Sequence, residues 1–347
     1  VTLPFVDLGS SPPSNAYLTP AQLHAPESYY PLRVLVCESC WLVQTEDFAG
    51  FDDMFSAEYA YFSSFSSTML AHVKQYSQEM TTRFGLNASS CVVEVASNDG
   101  YLLKNFKAAG IPCYGVEPTA STAKAAREIG IESIEEFFGK KLANRLVSEG
   151  RQADLTAANN VLAHVPDIND FVSGFTLLLK DQGVSTFEFP HLLNLVDKAQ
   201  FDTIYHEHFS YLSLTAVNTI FKANGLSVFD VEEIATHGGS LRVFAQKTST
   251  GKHALSPRVA AMLAREETLG MKTAVYYGKT QADAVKIKRD LLQFLLKAQE
   301  EGKTVAAYGA AAKGNTLLNY AGVRDDLVKF VIDLNPAKQC QCSYTCG

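Results

Sequence analysis

The segment Tyr205-His206-Glu207-His208-Phe209-Ser210-Tyr211 puts two imidazoles, a carboxylate and two phenols into seven residues. A buried core tolerates that density of titratable groups only when they have partners. A solvated face does not ordinarily carry three aromatic rings as well. Tyr205 and His208 are three residues apart, so on a helical turn they project to one side. A phenol beside an imidazole can remove a proton and stabilise the oxyanion left behind. The competing reading is a wet loop whose histidines only cap or hydrogen-bond.

A second candidate lies upstream. Val92-Val93-Glu94-Val95-Ala96-Ser97-Asn98-Asp99-Gly100 reads as a strand running into a tight turn and then a helix. At the carboxyl edge of a parallel sheet, such a turn is where nucleotide ligands bind. About twenty residues on, Gly115-Val116-Glu117-Pro118 ends the next strand with a carboxylate that can accept both hydrogen bonds of a ribose diol. A dinucleotide fold calls for G-x-G-x-x-G, so that a helix N-terminus meets a pyrophosphate. Here Asp99 would repel a pyrophosphate, whereas S-adenosylmethionine carries a cationic sulfonium and amine and no phosphate. The turn therefore favours that cofactor over NAD(P).

The elements around these segments alternate. Strands are expected at 91–95, 113–116, 154–158 and 183–189, with helices at 101–109, 119–129 and 168–179 between them. That alternation predicts a parallel sheet with helices on both faces and right-handed crossovers. A helix is expected at 67–84, with Met69, His72, Val73 and Tyr76 at helical spacing. After the His-rich interruption come a helix at 216–224 and two strands, 226–234 and 241–246. Long helices at 256–269 and 273–301 follow, then a strand–turn–helix unit at 303–320 and a strand at 328–333. The first fifty residues, rich in Pro, Ser and aromatics, show little helical periodicity. Residues 32–36 read as a strand entering a Cys37-Glu38-Ser39-Cys40 turn, and 41–44 as the strand returning.

Bulk properties narrow the class. The 347 residues suit two or three domains, and a net charge of −7 argues against a nucleic-acid backbone as partner. No apolar run approaches the roughly 20 residues of a membrane-spanning helix, and no membrane partner is expected. Cytoplasmic localisation is the expectation, with no signal-like start. Seven cysteines in this arrangement do not resemble a secreted disulfide framework. Cys91 and Cys113 read as reduced core residues, while Cys340, Cys342 and Cys346 crowd the last eight positions.

Five blocks, in order, resemble the nucleotide-sugar C-methyltransferases. They are Val93–Leu103, Asn160-Val161-Leu162-Ala163-His164-Val165-Pro166-Asp167, Tyr205-His206-Glu207-His208, His237-Gly238-Gly239-Ser240-Leu241-Arg242 and Gly309-Ala310-Ala311-Ala312-Lys313-Gly314. The resemblance spans roughly residues 5–338. It implies an α/β protein with a central Rossmann-like class I methyltransferase domain, a small N-terminal zinc-ribbon-like segment and a C-terminal α/β domain. The expected boundaries are 1–55, a remnant of the zinc-binding domain; 56–250, the methyltransferase domain; and 251–347, a shortened sugar-nucleotide-binding domain.

The implied reaction is methyl transfer from S-adenosylmethionine to a carbon beside the keto group of a nucleotide-linked 4-keto-deoxysugar. By resemblance His208 is the base, Tyr205 donates to the enolate oxygen, and Glu207 holds the substrate or tunes the imidazole. His164 falls near the methyl-transfer centre, and Tyr59 near the sugar. The cofactor set is Glu94, Ala96, Asn98, Gly100, Glu117 and Asn160. Arg242 and Lys313 are expected to clamp the diphosphate. The sugar nucleotide is expected between the central and C-terminal domains, in a monomer or weak homo-oligomer. The chemistry itself needs no metal.

Two departures stand out. Ala96 occupies a position where the family usually has Gly. Cys37 and Cys40 match only the second half of a four-thiolate zinc site, because the chain begins at Val1 without a first Cys-x-x-Cys. Residues 339–347 also leave the family pattern, and truncation of both termini is the expectation. Other functions remain in view: methylation of an oxygen or a non-sugar acceptor, a non-catalytic S-adenosylmethionine or nucleotide-sugar binder, and, last, an NAD(P)-dependent sugar oxidoreductase.

Overall fold

A computed structural model describes residues 2–15, 18, 25–46 and 62–333. The chain opens with β1 (Thr2–Ser11), β2 (Tyr30–Cys37) and β3 (Val43–Thr45), followed by α1 (Ser67–Phe84). An alternating series follows: β4 (Val92–Val95), α2 (Leu103–Ala108), β5 (Cys113–Val116), α3 (Ala120–Glu128), β6 (Ser133–Ile134), α4 (Lys140–Ser148), β7 (Ala153–Asn159), α5 (Ile168–Leu178) and β8 (Leu179–Pro190). Next are α6 (Leu192–Asp197), β9 (Ser210–Tyr211), α7 (Leu214–Ala223), β10 (Leu226–Ile234) and β11 (Ser240–Lys247). The chain continues through α8 (Pro257–Thr268), α9 (Ala274–Tyr277), α10 (Thr280–Glu300), β12 (Ala307–Tyr308), α11 (Ala312–Ala321) and β13 (Val331–Ile332).

Two compact units result. One holds residues 57–191 and 212–265; the other holds residues 1–56, 192–211 and 266–347. This differs from three consecutive domains, and the reason is specific. Strand β9 pairs antiparallel with β3, Val43 opposite Tyr211. Thr316 Oγ1 of α11 donates to the Ile204 carbonyl at 2.9 Å. Both terminal parts of the chain therefore hold the His-rich stretch.

The unit containing residues 57–191 is a seven-stranded sheet in the order β10-β11-β8-β7-β4-β5-β6. Strands β4 to β8 are parallel; β11 runs antiparallel to β8, and β10 antiparallel to β11. The expected parallel series and the two later strands are thus parts of one sheet. All four residues of β4 are buried, as a central strand covered on both faces requires. Val92 packs with Tyr76, Met80, Phe106 and Phe244 on one face. Val93 packs with Tyr114, Leu142, Leu146 and Leu178 on the other. The chain winds from β4 through β5 to β6, then restarts at β7 on the opposite side. Between β4 and β7 lies the switch point where such sheets bind ligands.

Helix α1 has the predicted bounds. Ser66 caps it by accepting from Met69 N–H, and Gly85, at φ 62°, ends it in the left-handed conformation. The helix expected over 273–301 is broken into α9 and α10 at Gly278, the poorest helix former in the run after proline is set aside.

In the other unit, β1, β2, β3 and β9 form an antiparallel sheet. Its buried face gathers Phe5, Leu32, Val34, Val36, Val43 and Tyr211 with Phe201, Met271 and Tyr277. Strand β1 was not foreseen. Its register shifts twice against β2, and Pro4 and Gly9 interrupt a pattern that otherwise alternates. The short parallel pair β12–β13 flanks α11 over a small core of Leu295, Ala321, Val323 and Val328.

Candidate functional site

The loop after β4 carries unusual backbone. Ala96 and Asn98 have φ of 58° and 49°, and Gly100 has 76°. Asparagine tolerates the left-handed region because its short polar side chain bonds locally; alanine does not. That explains why glycine suits position 96. The small size of Gly115 is also needed: a Cβ there would collide with the Ser97 side chain. Glu117 fastens the loop, its Oε2 accepting from Asn98 N–H and its Oε1 from Thr119 N–H, both at 2.9 Å. Each oxygen retains a lone pair. Asn98 Oδ1 and Asp99 Oδ2 accept from the amides of Ser63 and Ser64.

Glu94 is 1% exposed, and neither carboxyl oxygen has a partner among the described residues. Burial, with Glu117, Asp99 and Glu188 nearby, holds its carboxyl well above the ordinary range. Asp99 Oδ1, Ser97 Oγ and Asn160 Oδ1 are buried and unpaired as well. Asn160, at φ 54°, follows β7 directly across the switch point. A ring of acceptors without donors fits a ligand bearing ammonium, hydroxyl and sulfonium groups. Glu94, Asn98, Glu117 and Asn160 would hold S-adenosylmethionine there. His164 ends the short 3-10 turn Leu162–His164 just past β7, at the same sheet edge.

The His-rich segment is a turn rather than a helix, closed by His208 N–H to the Tyr205 carbonyl. The two side chains do meet: Tyr205 Oη lies 2.8 Å from His208 Nε2. His208 Nδ1 lies 2.8 Å from the Thr203 carbonyl, which can only accept. Nδ1 therefore carries the proton, and Nε2 accepts from the phenol. Thr45 Oγ1 donates to the His208 carbonyl, and Thr45 N–H to that of Phe209. His206 is a support: its Nε2 donates toward the Tyr30 and Pro31 carbonyls. Glu207 is 1% exposed, and burial pushes its carboxyl up to about 7.

Arg242 requires a correction. It is 4% exposed and turned inward from β11. Its Nε donates to Glu188 Oε1 at 2.6 Å, and one terminal nitrogen lies 3.2–3.3 Å from Glu79 and Glu232. The guanidinium also lies over the Tyr76 ring. Its charge is already neutralised inside the protein, so it does not offer a fork to a diphosphate. Glu188, in turn, takes His72 Nε2 at 2.8 Å on its other oxygen. Burial alone would raise the Glu188 carboxyl; the His72 hydrogen bond and the Arg242 charge outweigh it and pull it down. Sequence reasoning missed Glu188, whose signal was an acid set between Phe187 and Phe189 in the buried half of β8. Lys313 sits half-buried in the first turn of α11, and its charge acts on Asp202. Tyr59, Cys340, Cys342 and Cys346 lie outside the described residues.

Cys37 and Cys40 flank the turn after β2, where Trp41 N–H donates to the Cys37 carbonyl. Backbone amides of Cys40 and Ser39 pull the Cys37 thiol down, and burial pushes that of Cys40 up. Among the described residues no group of three or more His, Cys, Asp or Glu side chains could hold a metal. Two thiolates do not complete a tetrahedral zinc site.

Comparison with known proteins matches each part of the chain. Residues 1–55 match the family described as a putative zinc binding domain, 69–231 a methyltransferase domain, and 235–346 a C-methyltransferase C-terminal domain. The C-methyltransferase NovU of Streptomyces niveus is 33% identical over 337 residues, which is 97% of this chain and 80% of that protein. Among solved structures, the magnesium protoporphyrin IX methyltransferase of Synechocystis PCC 6803 with bound SAM is 15% identical. It covers 52% of this chain and 82% of its own, with a TM-score of 0.39. With the acceptor-lined loop at the switch point, the matched domains and a curated relative along nearly its whole length, this chain belongs to the S-adenosylmethionine-dependent C-methyltransferases.

Proposed function

We propose that the acceptor is a nucleotide-linked 4-keto-deoxysugar, methylated on a carbon beside the ketone. The observation that carries this reading is the Tyr205–His208 pair, with the imidazole held in one tautomer by the Thr203 carbonyl. Transfer to carbon needs an acidic C–H removed, and the pair supplies both a base and an oxyanion donor. In the free protein the phenol donates to Nε2. A substrate carbonyl that takes over the phenol's hydrogen bond uncovers the Nε2 lone pair for the neighbouring C–H. His208 then holds the proton at Nε2, and Tyr205 stabilises the enolate oxygen. S-adenosylmethionine supplies an electrophilic methyl on a sulfonium whose departure leaves a neutral thioether. Glu207 binds a sugar hydroxyl. Lys313 remains the diphosphate candidate once Arg242 is set aside.

The test is exchange of the substrate C–H in deuterium oxide, with S-adenosylhomocysteine present and nucleoside-diphosphate 4-keto-6-deoxysugars as acceptors. His208→Asn is expected to abolish both exchange and methyl transfer while S-adenosylhomocysteine affinity stays within about threefold, since it removes one base and no cofactor contact. Undiminished turnover in that variant would remove His208 from the reaction. Turnover of a hydroxyl acceptor without need of the pair would favour methylation of oxygen.

A further inference from the structure

The connection after β1 makes a polar contact that the reaction above does not use. Pro12 and Pro13 stiffen the chain and deliver Ser14 and Asn15 as a turn. Asn15 Nδ2 donates to Glu207 Oε2 at 2.6 Å. Both residues belong to the same compact unit. Glu207 Oε1 is buried and has no partner among the described residues, and the same holds for Ser14 Oγ, next to Asn15 in sequence.

A carboxyl kept only to brace the fold would have both oxygens satisfied, because an unpaired buried acceptor costs stability. Here one oxygen is fixed and the other is left over. A hydrogen bond to Oε2 also sets the last torsion of the side chain, which is otherwise broad, and so sets where Oε1 points. Burial raises the Glu207 carboxyl toward neutrality, and the Asn15 amide opposes that rise.

We infer that Asn15 is a positioning residue, holding the Glu207 carboxyl so that Oε1 is presented to a hydroxyl of the sugar acceptor. This rests on the keto-deoxysugar reading. It gives the N-terminal part of the chain a share in recognising the acceptor, independent of any metal.

The experiment compares the parent chain with Asn15→Leu, Glu207→Ala and the double variant. The acceptors are a panel of nucleoside-diphosphate 4-keto-6-deoxysugars. Asn15→Leu is expected to lower kcat/KM for the acceptor about tenfold, the usual scale for losing one hydrogen bond to an ionisable group. KM for S-adenosylmethionine should not change. In the Glu207→Ala background the Asn15 change should have no further effect, since the acceptor it acts through is gone. A purely structural brace would instead give losses that multiply, which overturns the inference. Should Asn15→Leu fail to fold, Asn15→Asp carries the same comparison, keeping the volume and replacing the donor with an acceptor. A parent that turns over while both Asn15 variants match it overturns this inference and leaves the reaction standing. A parent that neither binds nor methylates any member of the panel overturns both.

Discussion

Ala96 concentrates the cost of the cofactor loop in one residue. Its φ of 58° costs an L-residue with a Cβ about 1 kcal/mol or more. Ala96→Gly is expected to raise unfolding free energy by on the order of 1 kcal/mol, because relief of strain exceeds the added freedom of the unfolded chain. Urea denaturation checks this, and titration with S-adenosylhomocysteine should show equal or tighter binding. The departure at position 96 was legible in the sequence; its conformational reason was not. The same holds for His208. Its proximity to Tyr205 follows from spacing, but its tautomer is set by the Thr203 carbonyl through a turn that no periodicity announces.

At the scale of elements, β8, β10, β11 and α1 share one charge network, buried at Arg242 and Glu188. Arg242 from β11 meets Glu188 from β8, Glu79 from α1 and Glu232 from β10, and His72 from α1 closes on Glu188. Arg242→Met would leave Glu188 buried with its main counter-charge gone. The expected loss is about 3–5 kcal/mol of stability, measured by thermal or urea unfolding. Adding Glu188→Gln should recover part of it; no recovery would mean the network is not what makes Arg242 necessary. Sequence reading misplaced Arg242 because three of its partners come from elements 10, 54 and 163 residues away. Helix α1 and the strands of the central sheet were legible because their signals are local: a Ser66 cap, a Gly85 stop and short apolar runs. Strands β1 and β9 were not, the first broken by Pro4 and register shifts, the second only two residues long.

At the scale of the molecule, the cofactor loop and the His-rich segment belong to different units. Their failures should therefore separate. Val43 is fully buried in β3 opposite Tyr211 of β9. Val43→Asp puts an unpaired charge in that core and is expected to abolish methyl transfer, while S-adenosylhomocysteine affinity changes by less than about threefold. Loss of both together would show that the two units do not unfold independently. This interleaving was not legible beforehand, since β3 and β9 lie more than 160 residues apart and nothing in either specifies the other.

The pairing of β9 with β3 also bears on how the chain is made. The unit that carries Tyr205, Glu207 and His208 is assembled from three separated stretches, the last beginning at residue 266. On a ribosome, β1 to β3 emerge before β4 to β8 and must wait through those five strands until β9 appears, and longer for α9 and α11. Long sequence separations of this kind slow folding and prolong the exposure of unpaired strand edges. The unit with the β4 loop can thus be complete well before the unit with the His-rich segment, and the time between them is when the N-terminal strands are open to pairing with a neighbouring chain.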